Sequence, residues 1–145
     1  MTDQTIEQEI QAKGLTAPRI TLANIEAAIA SEYYFTAADG VDGADIERLR
    51  LQDKTATLTL APIAEESSLW QTSEIWPLRL LTFCVLVLRN GTKIVGINYG
   101  AIDPNQHDAE RGKQKARAHA IDQVFPLMGY ELRQKLYEQQ ACKTT

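Results

Sequence analysis

The sequence predicts an α+β domain, in which an antiparallel β-sheet built on a central hairpin (about residues 80–99) packs against C-terminal helices and follows an N-terminal helix. Three observations support this class. Residues 80–88 are apolar at almost every position, which is typical of a buried strand. Asn90-Gly91 supplies a hairpin turn before a second extended run. A basic segment with helical spacing then follows, over about 109–123.

The length and composition of the chain fit one compact domain. It has 145 residues, 44% of them hydrophobic, which is enough to bury a core without disulfides or metals. We assign residues 17–140 to this domain, 1–16 to a flexible N-terminal segment and 141–145 to a tail. The net charge of -4 argues against binding of duplex nucleic acid over a whole surface, because such binding depends on neutralised phosphates. Any anion site must be a local patch.

The cysteines and the hydropathy pattern indicate a reducing, aqueous compartment. Cys84 lies in an apolar strand and Cys142 in the polar tail, so no disulfide framework and no cysteine metal knuckle is indicated. The first 30 residues have no apolar signal-peptide core, and no apolar run reaches the roughly 18 residues of a membrane span. We therefore expect a protein of the cytoplasm that does not bind a membrane.

The N-terminal part predicts one helix before the hairpin. Residues 1–18 are polar and predict a frayed segment or a short helix. Thr21 is suited to an N-cap position, and apolar residues at helical spacing follow it, so a helix is predicted over about 21–32. The aromatic run Tyr33-Tyr34-Phe35 closes this helix and packs on the sheet, and glycines then predict a turn or mobile loop over 37–44.

The stretch before the hairpin is less regular. Spacing predicts a short helix over 46–51, and alternation predicts a strand over 55–60. Trp70 and Trp76 stand in or beside a polar loop. Because a loop that buries two indoles must fold against something, core or subunit packing explains them better than a ligand shelf.

The hairpin turn sets the expected register of the sheet. If Asn90 and Gly91 are the two loop residues of a type I′ turn, Phe83 lies opposite Asn98 on one face, with Gly96 nearby. Since the strand over 80–88 is apolar on both sides, we expect it to be covered on both faces.

The segment after the hairpin predicts a helix close to the sheet. Asp103 and Asp108 are expected to be turn and capping groups. Pro126 is expected to end the helix and Gly129 to reverse the chain, so that a last helix over about 130–140 packs back. A stripe of small residues predicts the close approach: Ala109, Gly112, Ala116, Ala120 and Val124.

Beside this stripe stands a basic cluster whose members are Arg111, Lys113, Lys115, Arg117 and His119. Like charges four residues apart destabilise a bare helix by a few tenths of a kcal/mol per pair. Two interpretations stay open: a solvated face that aids solubility, or an anion site next to a sheet face that offers an aromatic ring and an amide. The second arrangement suits a nucleotide.

Residue chemistry gives little support for an enzyme, and no cofactor is predicted. His107 and His119 have no cysteine or carboxylate at metal-ligand spacing, so no metal site is predicted. No serine stands in a GxSxG elbow, and the glycines of 91–100 form neither a dinucleotide-binding loop nor a P-loop.

Taken together, several motifs resemble a bacteriophage family named after the gene 49 product of phage N4 and the gene 66 product of phage Sf6. The similarity spans about 17–137, with a less typical stretch over 41–77. It is carried by Ala17-Pro18-Arg19-Ile20-Thr21, Ser31-Glu32-Tyr33-Tyr34, 81–91, Val95-Gly96, Asp103-Pro104, 108–112, Ala116-Arg117, Ala120 and 126–132.

The hairpin and basic helix are also similar to the first-described Thoeris anti-defence sponges, phage proteins that sequester a cyclic ADP-ribose isomer (such as gcADPR) and, in some members, cyclic dinucleotides. The resemblance implies a homo-oligomer, a dimer or a trimer of dimers. By motif position it implies ligand contacts for Phe83, Asn98, Arg111 and Arg117: Phe83 would stack on the base, Asn98 would bond a ribose or base edge, and the arginines would hold phosphates. From the basic cluster we add Lys113 as a further cation. Because Thr92 and Asn98-Tyr99-Gly100 depart from the family pattern, Tyr99 is the alternative stacking residue.

The leading hypothesis is therefore a phage sponge that binds a cyclic nucleotide without degrading it. One alternative is a phage interaction protein that binds a host or phage protein and no small molecule, with a merely solvated basic helix. An enzyme acting on nucleotides is the third.

Overall fold

The structure, a computed structural model, describes residues 3–12, 17–52 and 75–144. The strand predicted over 55–60 and Trp70 lie outside these described residues. In chain order the described elements are α1 (Asp3–Ala12), α2 (Leu22–Ala28), β1 (Ile29–Thr36), α3 (Ala37–Gln52), a 3₁₀ turn (Trp76–Arg79), β2 (Thr82–Leu88), β3 (Lys93–Asn98), a second 3₁₀ turn (Pro104–Gln106) and α4 (Ala109–Lys143).

The three described strands form one antiparallel sheet in the order β1-β2-β3, and α4 packs across β3 and β2. This arrangement confirms the predicted class, since the β2–β3 hairpin is preceded by helices and followed by a long helix. The core lies between the sheet, α2 and α4. Its fully or nearly buried members are Ile25, Cys84, Leu86, Leu88, Ile94, Ala116, Ala120, Ile121 and Val124.

The helix predicted over 21–32 begins where expected but ends early. Thr21 Oγ1 accepts a hydrogen bond from the Asn24 N–H (3.2 Å), and Asn24 Oδ1 accepts one from the Thr21 N–H (2.8 Å). This reciprocal cap confirms Thr21 as the N-cap. The prediction that the helix reaches residue 32 is wrong, because the helix ends at Ala28 and β1 begins at Ile29 and includes the aromatic run 33–35. Aromatic side chains favour strands, and here they pair with β2 along its whole length.

The loop predicted over 37–44 is wrong, because α3 begins at Ala37. Its start is capped in both directions: Thr36 Oγ1 accepts from the Asp39 N–H (3.1 Å), and Asp39 Oδ2 accepts from the Thr36 N–H (2.9 Å). The loop prediction rested on Gly40 and Gly43. Both glycines lie inside the helix, and neither has a neighbouring atom within 4 Å of an added Cβ.

The turn between β2 and β3 differs from the predicted type I′ turn. Only Gly91 has a positive φ (86°), and the Gly91 N–H donates to the Leu88 carbonyl at 2.9 Å. The Leu88 N–H donates to the Thr92 carbonyl at 2.8 Å, so the loop has three residues instead of two. The register shifts by one residue, and Phe83 lies opposite Ile97, not Asn98.

The predicted helix end at Pro126 is also wrong. α4 runs without interruption over 35 residues from Ala109 to Lys143. Pro126 is exposed, so its ring faces solvent and the missing N–H lies on the open side of the helix. On the other side of the helix, half-buried Phe125 and Met128 pack against the core. These contacts hold the chain in the helical direction through Gly129.

The stripe of small residues on α4 brings the helix onto the sheet, as predicted. Gly112, Ala116 and Ala120 are buried, and the backbone of α4 crosses β3 at Gly96. A Cβ atom added to Gly96 would collide with the Ala116 carbonyl oxygen and stand 2.6 Å from the Ala120 nitrogen. The sheet and the helix therefore meet backbone to backbone at this point.

The other face of the sheet is apolar and partly exposed among the described residues. Its side chains include Tyr33 (56% exposed), Phe35 (39%) and Val95 (42%), beside the half-buried Phe83 and Val85. The expectation that β2 is covered on both faces is therefore not met within the described segments. We call this surface the outer sheet face.

Among the described residues, side chains of α4 cap the edge of β3 that does not pair with β2. The Ile97 N–H donates to His119 Nδ1 at 2.9 Å, and Gln123 Nε2 donates to the Val95 carbonyl at 2.7 Å. Unpaired edge groups invite pairing with another strand, so these two side chains protect the edge.

Replacing His119 by alanine should open this edge. We expect the Ile97 amide proton to exchange with solvent at least several-fold faster in His119→Ala, because it loses its acceptor. Hydrogen exchange followed by NMR measures this rate, and His107→Ala serves as the control histidine substitution. Unchanged protection of Ile97 would show that the His119 side chain does not cap the strand.

Candidate functional site

The shifted register separates two of the predicted site residues. Phe83 lies on the outer sheet face, where its ring meets Phe35 at a centroid distance of 5.6 Å and a tilt of 40°. Asn98 lies on the opposite, helix-facing side, next to Thr82. The predicted Phe83–Asn98 neighbourhood is wrong, because a slip of one residue moves a side chain to the other face.

Asn98 belongs instead to a polar row at one end of the helix-facing side. Thr36 pairs with Thr82 across β1 and β2, and Thr82 pairs with Asn98 across β2 and β3. Gly112, in the first turns of α4, lies over this row: a Cβ there would stand 3.2 Å from Thr82 Oγ1, 3.4 Å from Asn98 Nδ2 and 3.7 Å from His107 Cε1. We call Thr82, Asn98, His107 and Gly112 the polar niche.

Two groups of the polar niche have unused hydrogen-bonding capacity. Thr82 is 4% exposed and is the buried polar residue of the described core. Within residues 3–12, 17–52 and 75–144, neither its hydroxyl nor the Asn98 amide has a hydrogen-bond partner. Both groups can therefore bond water or a bound polar group.

Cationic side chains flank the polar niche on α4. Arg111 and Lys113 stand on either side of Gly112, each about 100° around the helix from it. Both are exposed; Lys113 Nζ lies 3.9 Å from Glu110, a contact that contributes little at a surface. Asp108 caps this end of α4, as predicted, by accepting from the Glu110 and Arg111 N–H groups at 3.0 and 3.3 Å. The cations are thus held on a rigid helix beside the niche.

Tyr99 directly follows Asn98 at the end of β3. Its side chain is 77% exposed. The ring is therefore open to solvent, and its place in the chain is next to Asn98.

Arg117 has a different environment from the other predicted cations. Its guanidinium forms a bidentate pair with Glu26, through Nη1 at 2.8 Å and Nη2 at 2.6 Å, and its Nε donates to Glu32 at 3.1 Å. Only 27% of the side chain is exposed. The pair joins α4 to α2 and β1, so Arg117 holds three elements together in this structure.

The ion pair changes the ionisation of its members. The hydrogen bonds that Arg117 donates to Glu26 lower the pKa of Glu26, and the same bonds raise the pKa of Arg117. On the adjoining part of β1, burial raises the pKa of Tyr34, whose hydroxyl donates to Glu32 at 3.2 Å, and burial also raises the pKa of Cys84. At neutral pH, Glu26 is therefore negatively charged and Arg117 positively charged, while Tyr34 and Cys84 are neutral.

A cavity of about 390 Å³ lies beside Arg117, between α1, α2 and α4. Its walls include Leu22, Ile121, Glu26 and Gln114. Two carboxylates already oppose the Arg117 charge, so a phosphate that enters here meets repulsion from Glu26 unless that side chain moves.

Sequence reasoning missed Thr82 and the two carboxylate partners of Arg117. Thr82 had a signal, because it is the polar residue at the helix-facing positions of an apolar strand. No sequence pattern pointed to Glu26 and Glu32 as partners of Arg117, since they lie 91 and 85 residues from it in the chain.

The family of the chain is shown by comparison with known proteins. The model of the phage protein (N4 Gp49/phage Sf6 gene 66) family matches residues 20–136. The chain belongs to this family. No curated protein and no solved structure matches it. In this member of the N4 Gp49/Sf6 gene 66 family, the match covers β1, β2, β3 and both the polar niche and the Arg117 ion pair.

In the described residues of this family member, two features are absent: a membrane-spanning helix and a cluster of metal-binding side chains. No described helix combines the length and apolar character required to cross a membrane. The same segments contain no group of three or more His, Cys, Asp or Glu side chains arranged to hold a metal ion.

Proposed function

We propose that this phage protein is an anti-defence sponge, which binds a cyclic nucleotide immune signal, a cyclic ADP-ribose isomer or a cyclic dinucleotide, without degrading it. The observation that carries the proposal is the unpaired Thr82 hydroxyl and Asn98 amide beneath a helix turn that bears Arg111 and Lys113. Membership of a phage family and the resemblance of the hairpin and basic helix to the Thoeris anti-defence sponges support it.

The niche and its cations suit different parts of a nucleotide. The hydroxyl and the amide each donate and accept hydrogen bonds, which matches a ribose hydroxyl or a base edge. The guanidinium of Arg111 and the ammonium of Lys113 match phosphate oxygens. Tyr99 supplies an exposed ring for the base. A hydroxyl, an amide and two cations on a rigid helix are sufficient to bind an anionic ligand, and a sponge needs no catalytic group in addition.

Phe83 and Arg117 have other roles in this proposal. Phe83 lies on the outer sheet face and reaches a ligand of the polar niche only if that ligand lies between two copies of the chain. Arg117 serves a phosphate only after exchanging Glu26 for it. We therefore assign the primary phosphate contact to Arg111.

Calorimetry with a panel of cyclic ADP-ribose isomers and cyclic dinucleotides tests the proposal. We expect one class to bind at micromolar concentration or tighter, and Arg111→Ala to weaken that binding by about tenfold or more, which is about 1.4 kcal/mol. Arg133→Ala, at an exposed arginine further along α4, is the matched control and should leave the affinity unchanged.

Recovery of the ligand separates a sponge from an enzyme. After incubation with excess protein and denaturation, the cyclic nucleotide should return intact, as judged by liquid chromatography and mass spectrometry. A changed product would replace the sponge by an enzyme. Absence of binding across the whole panel would overturn the proposal.

A second candidate is an interaction protein that binds a host or phage protein. The exposed aromatic residues of the outer sheet face favour it, since a sheet face open to water usually carries polar side chains. A chain with that function alone binds no member of the nucleotide panel, so the calorimetry above distinguishes the two.

A further inference from the structure

The two carboxylates that hold Arg117 contact different edges of its guanidinium. Glu26 accepts from Nη1 at 2.8 Å and Nη2 at 2.6 Å, whereas Glu32 accepts from Nε at 3.1 Å. The Nη1–Nη2 edge of an arginine is a fork that matches two oxygens of a carboxylate or of a phosphate equally well. Glu26 therefore occupies the place on Arg117 that a phosphate group takes in the same geometry.

Glu26 can leave this place without moving the rest of the cluster. Its side chain is 43% exposed, and in the described part of the chain its carboxylate accepts hydrogen bonds from Arg117 alone. Glu32 is held more firmly, because it also accepts from the Tyr34 hydroxyl at 3.2 Å and lies on β1 opposite Leu86. Rotation of Glu26 into solvent thus frees the two Nη atoms while Glu32 keeps the guanidinium oriented.

The cavity beside the pair has room for what replaces Glu26. Its volume is about 390 Å³, and Glu26 and Arg117 both line it. A cavity of about 150 Å³ holds benzene, so a phosphate with one aromatic ring fits this space. The other lining side chains are apolar or carry amides: Leu22, Ala118, Ile121, Gln4 and Gln114. The chemical class that fits is therefore a phosphate monoester with an apolar or aromatic body.

From this geometry, we propose that Glu26 is a displaceable internal counter-ion, which occupies Arg117 in the free protein and swings into solvent when a phosphate monoester enters the cavity. Ligand and carboxylate compete for the same two Nη atoms, so the fraction of molecules with Glu26 displaced sets the apparent affinity. Glu26 is an effective competitor at neutral pH because its pKa is lowered and it is charged there. This gate goes beyond the proposed function, since it acts on any phosphate monoester, cyclic nucleotide or not.

An NMR titration with phenyl phosphate tests the gate. The signal to follow is the Arg117 Nε–H group, which stays bonded to Glu32 in both states. We expect a saturable shift of this signal and tighter binding than for inorganic phosphate, which has no apolar body. Glu26→Gln should tighten the binding of phenyl phosphate about fivefold or more, because an amide competes less well for the guanidinium. An unchanged or weaker affinity of this variant would overturn the inference.

Two control variants separate displacement from a general change in charge. Glu131→Gln removes the same charge from α4, where Glu131 pairs with Lys135 at 2.8 Å, and should leave the affinity unchanged. Glu32→Gln removes a carboxylate from the same guanidinium but leaves Glu26 on the Nη atoms, so it should tighten binding less than Glu26→Gln does. Equal tightening by Glu32→Gln would assign the effect to charge alone and would also overturn the inference.

Glu26→Asp keeps the charge but shortens the side chain, so the carboxylate no longer reaches both Nη atoms. We expect this variant to bind phenyl phosphate several-fold more tightly than wild type. If it binds no more tightly, Glu26 does not act by contact with Arg117 and the gate is wrong. The outcome is independent of the calorimetry above: a chain that binds no cyclic nucleotide but shows these changes loses only the proposed function.

Discussion

Gly96→Ala should strongly destabilise the native fold of this protein. At Gly96 the backbones of β3 and α4 are in direct contact, and an added Cβ would overlap the Ala116 carbonyl oxygen and approach the Ala120 nitrogen to 2.6 Å. Both obstacles are backbone atoms, so no side-chain rotation relieves the clash. Overpacking of this kind costs about 3 kcal/mol or more. That is a large part of the roughly 5–15 kcal/mol by which a domain of this size is stable.

Urea unfolding followed by circular dichroism measures the effect. Gly129→Ala is the matched control: Gly129 lies in α4, and no neighbouring atom stands within 4 Å of its added Cβ. There the substitution removes a helix-interior glycine and should stabilise the protein by about 0.5–1 kcal/mol. A Gly96→Ala protein with wild-type stability would show that α4 does not cross the sheet at Ala116.

Arg117→Ala should lower the free energy of unfolding by about 2 kcal/mol at neutral pH. The change removes three charge-assisted hydrogen bonds and leaves Glu26 and Glu32 facing each other. The pair is partly exposed, with 27% of Arg117 and 43% of Glu26 open to solvent, and this limits the loss. Lys115→Ala, an exposed substitution on the same helix, should change the stability by less than about 0.5 kcal/mol.

The effect of Arg117→Ala should depend on pH in one direction. Because Arg117 lowers the pKa of Glu26 below its ordinary value of 4.5, the pair stabilises the fold fully above that value. As the pH falls further, Glu26 takes up a proton in the folded state and the stabilisation is lost. The difference in stability between wild type and variant should therefore shrink below pH 4.5. A constant difference from pH 7 to pH 3 would assign the loss to packing alone.

Much of the fold could be predicted because its causes are local. The apolar run at 80–88 forms β2, Thr21 caps α2 through a residue three positions away, and the small-residue stripe beginning at Gly112 allows close packing of α4. The helix end expected at Pro126 failed because Phe125 and Met128, on either side of it, pack against the core, and this packing outweighs one missing hydrogen bond. A helix-breaking residue such as proline is recognised from the local sequence, which does not show contacts with distant parts of the chain.

For the candidate site, the sequence could predict the cations but not their neighbours. Arg111 and Lys113 stand on an exposed helix turn, where spacing alone gives their positions. Arg117 shares their chemistry and their helix, yet its charge is opposed by Glu26 and Glu32, which reach it only through the packing of α2 and β1 on α4. No local pattern distinguishes the three.

By itself, the sequence determined the α+β class, the β2–β3 hairpin and the motifs shared with a phage family, because each depends on residues close together in the chain. Only the tertiary structure decided which side chains share a face. A three-residue turn with positive φ at Gly91 alone shifts the register by one, and this shift moves Asn98 from Phe83 to Thr82. Since strand side chains alternate between faces, that single residue placed the polar niche beneath Gly112.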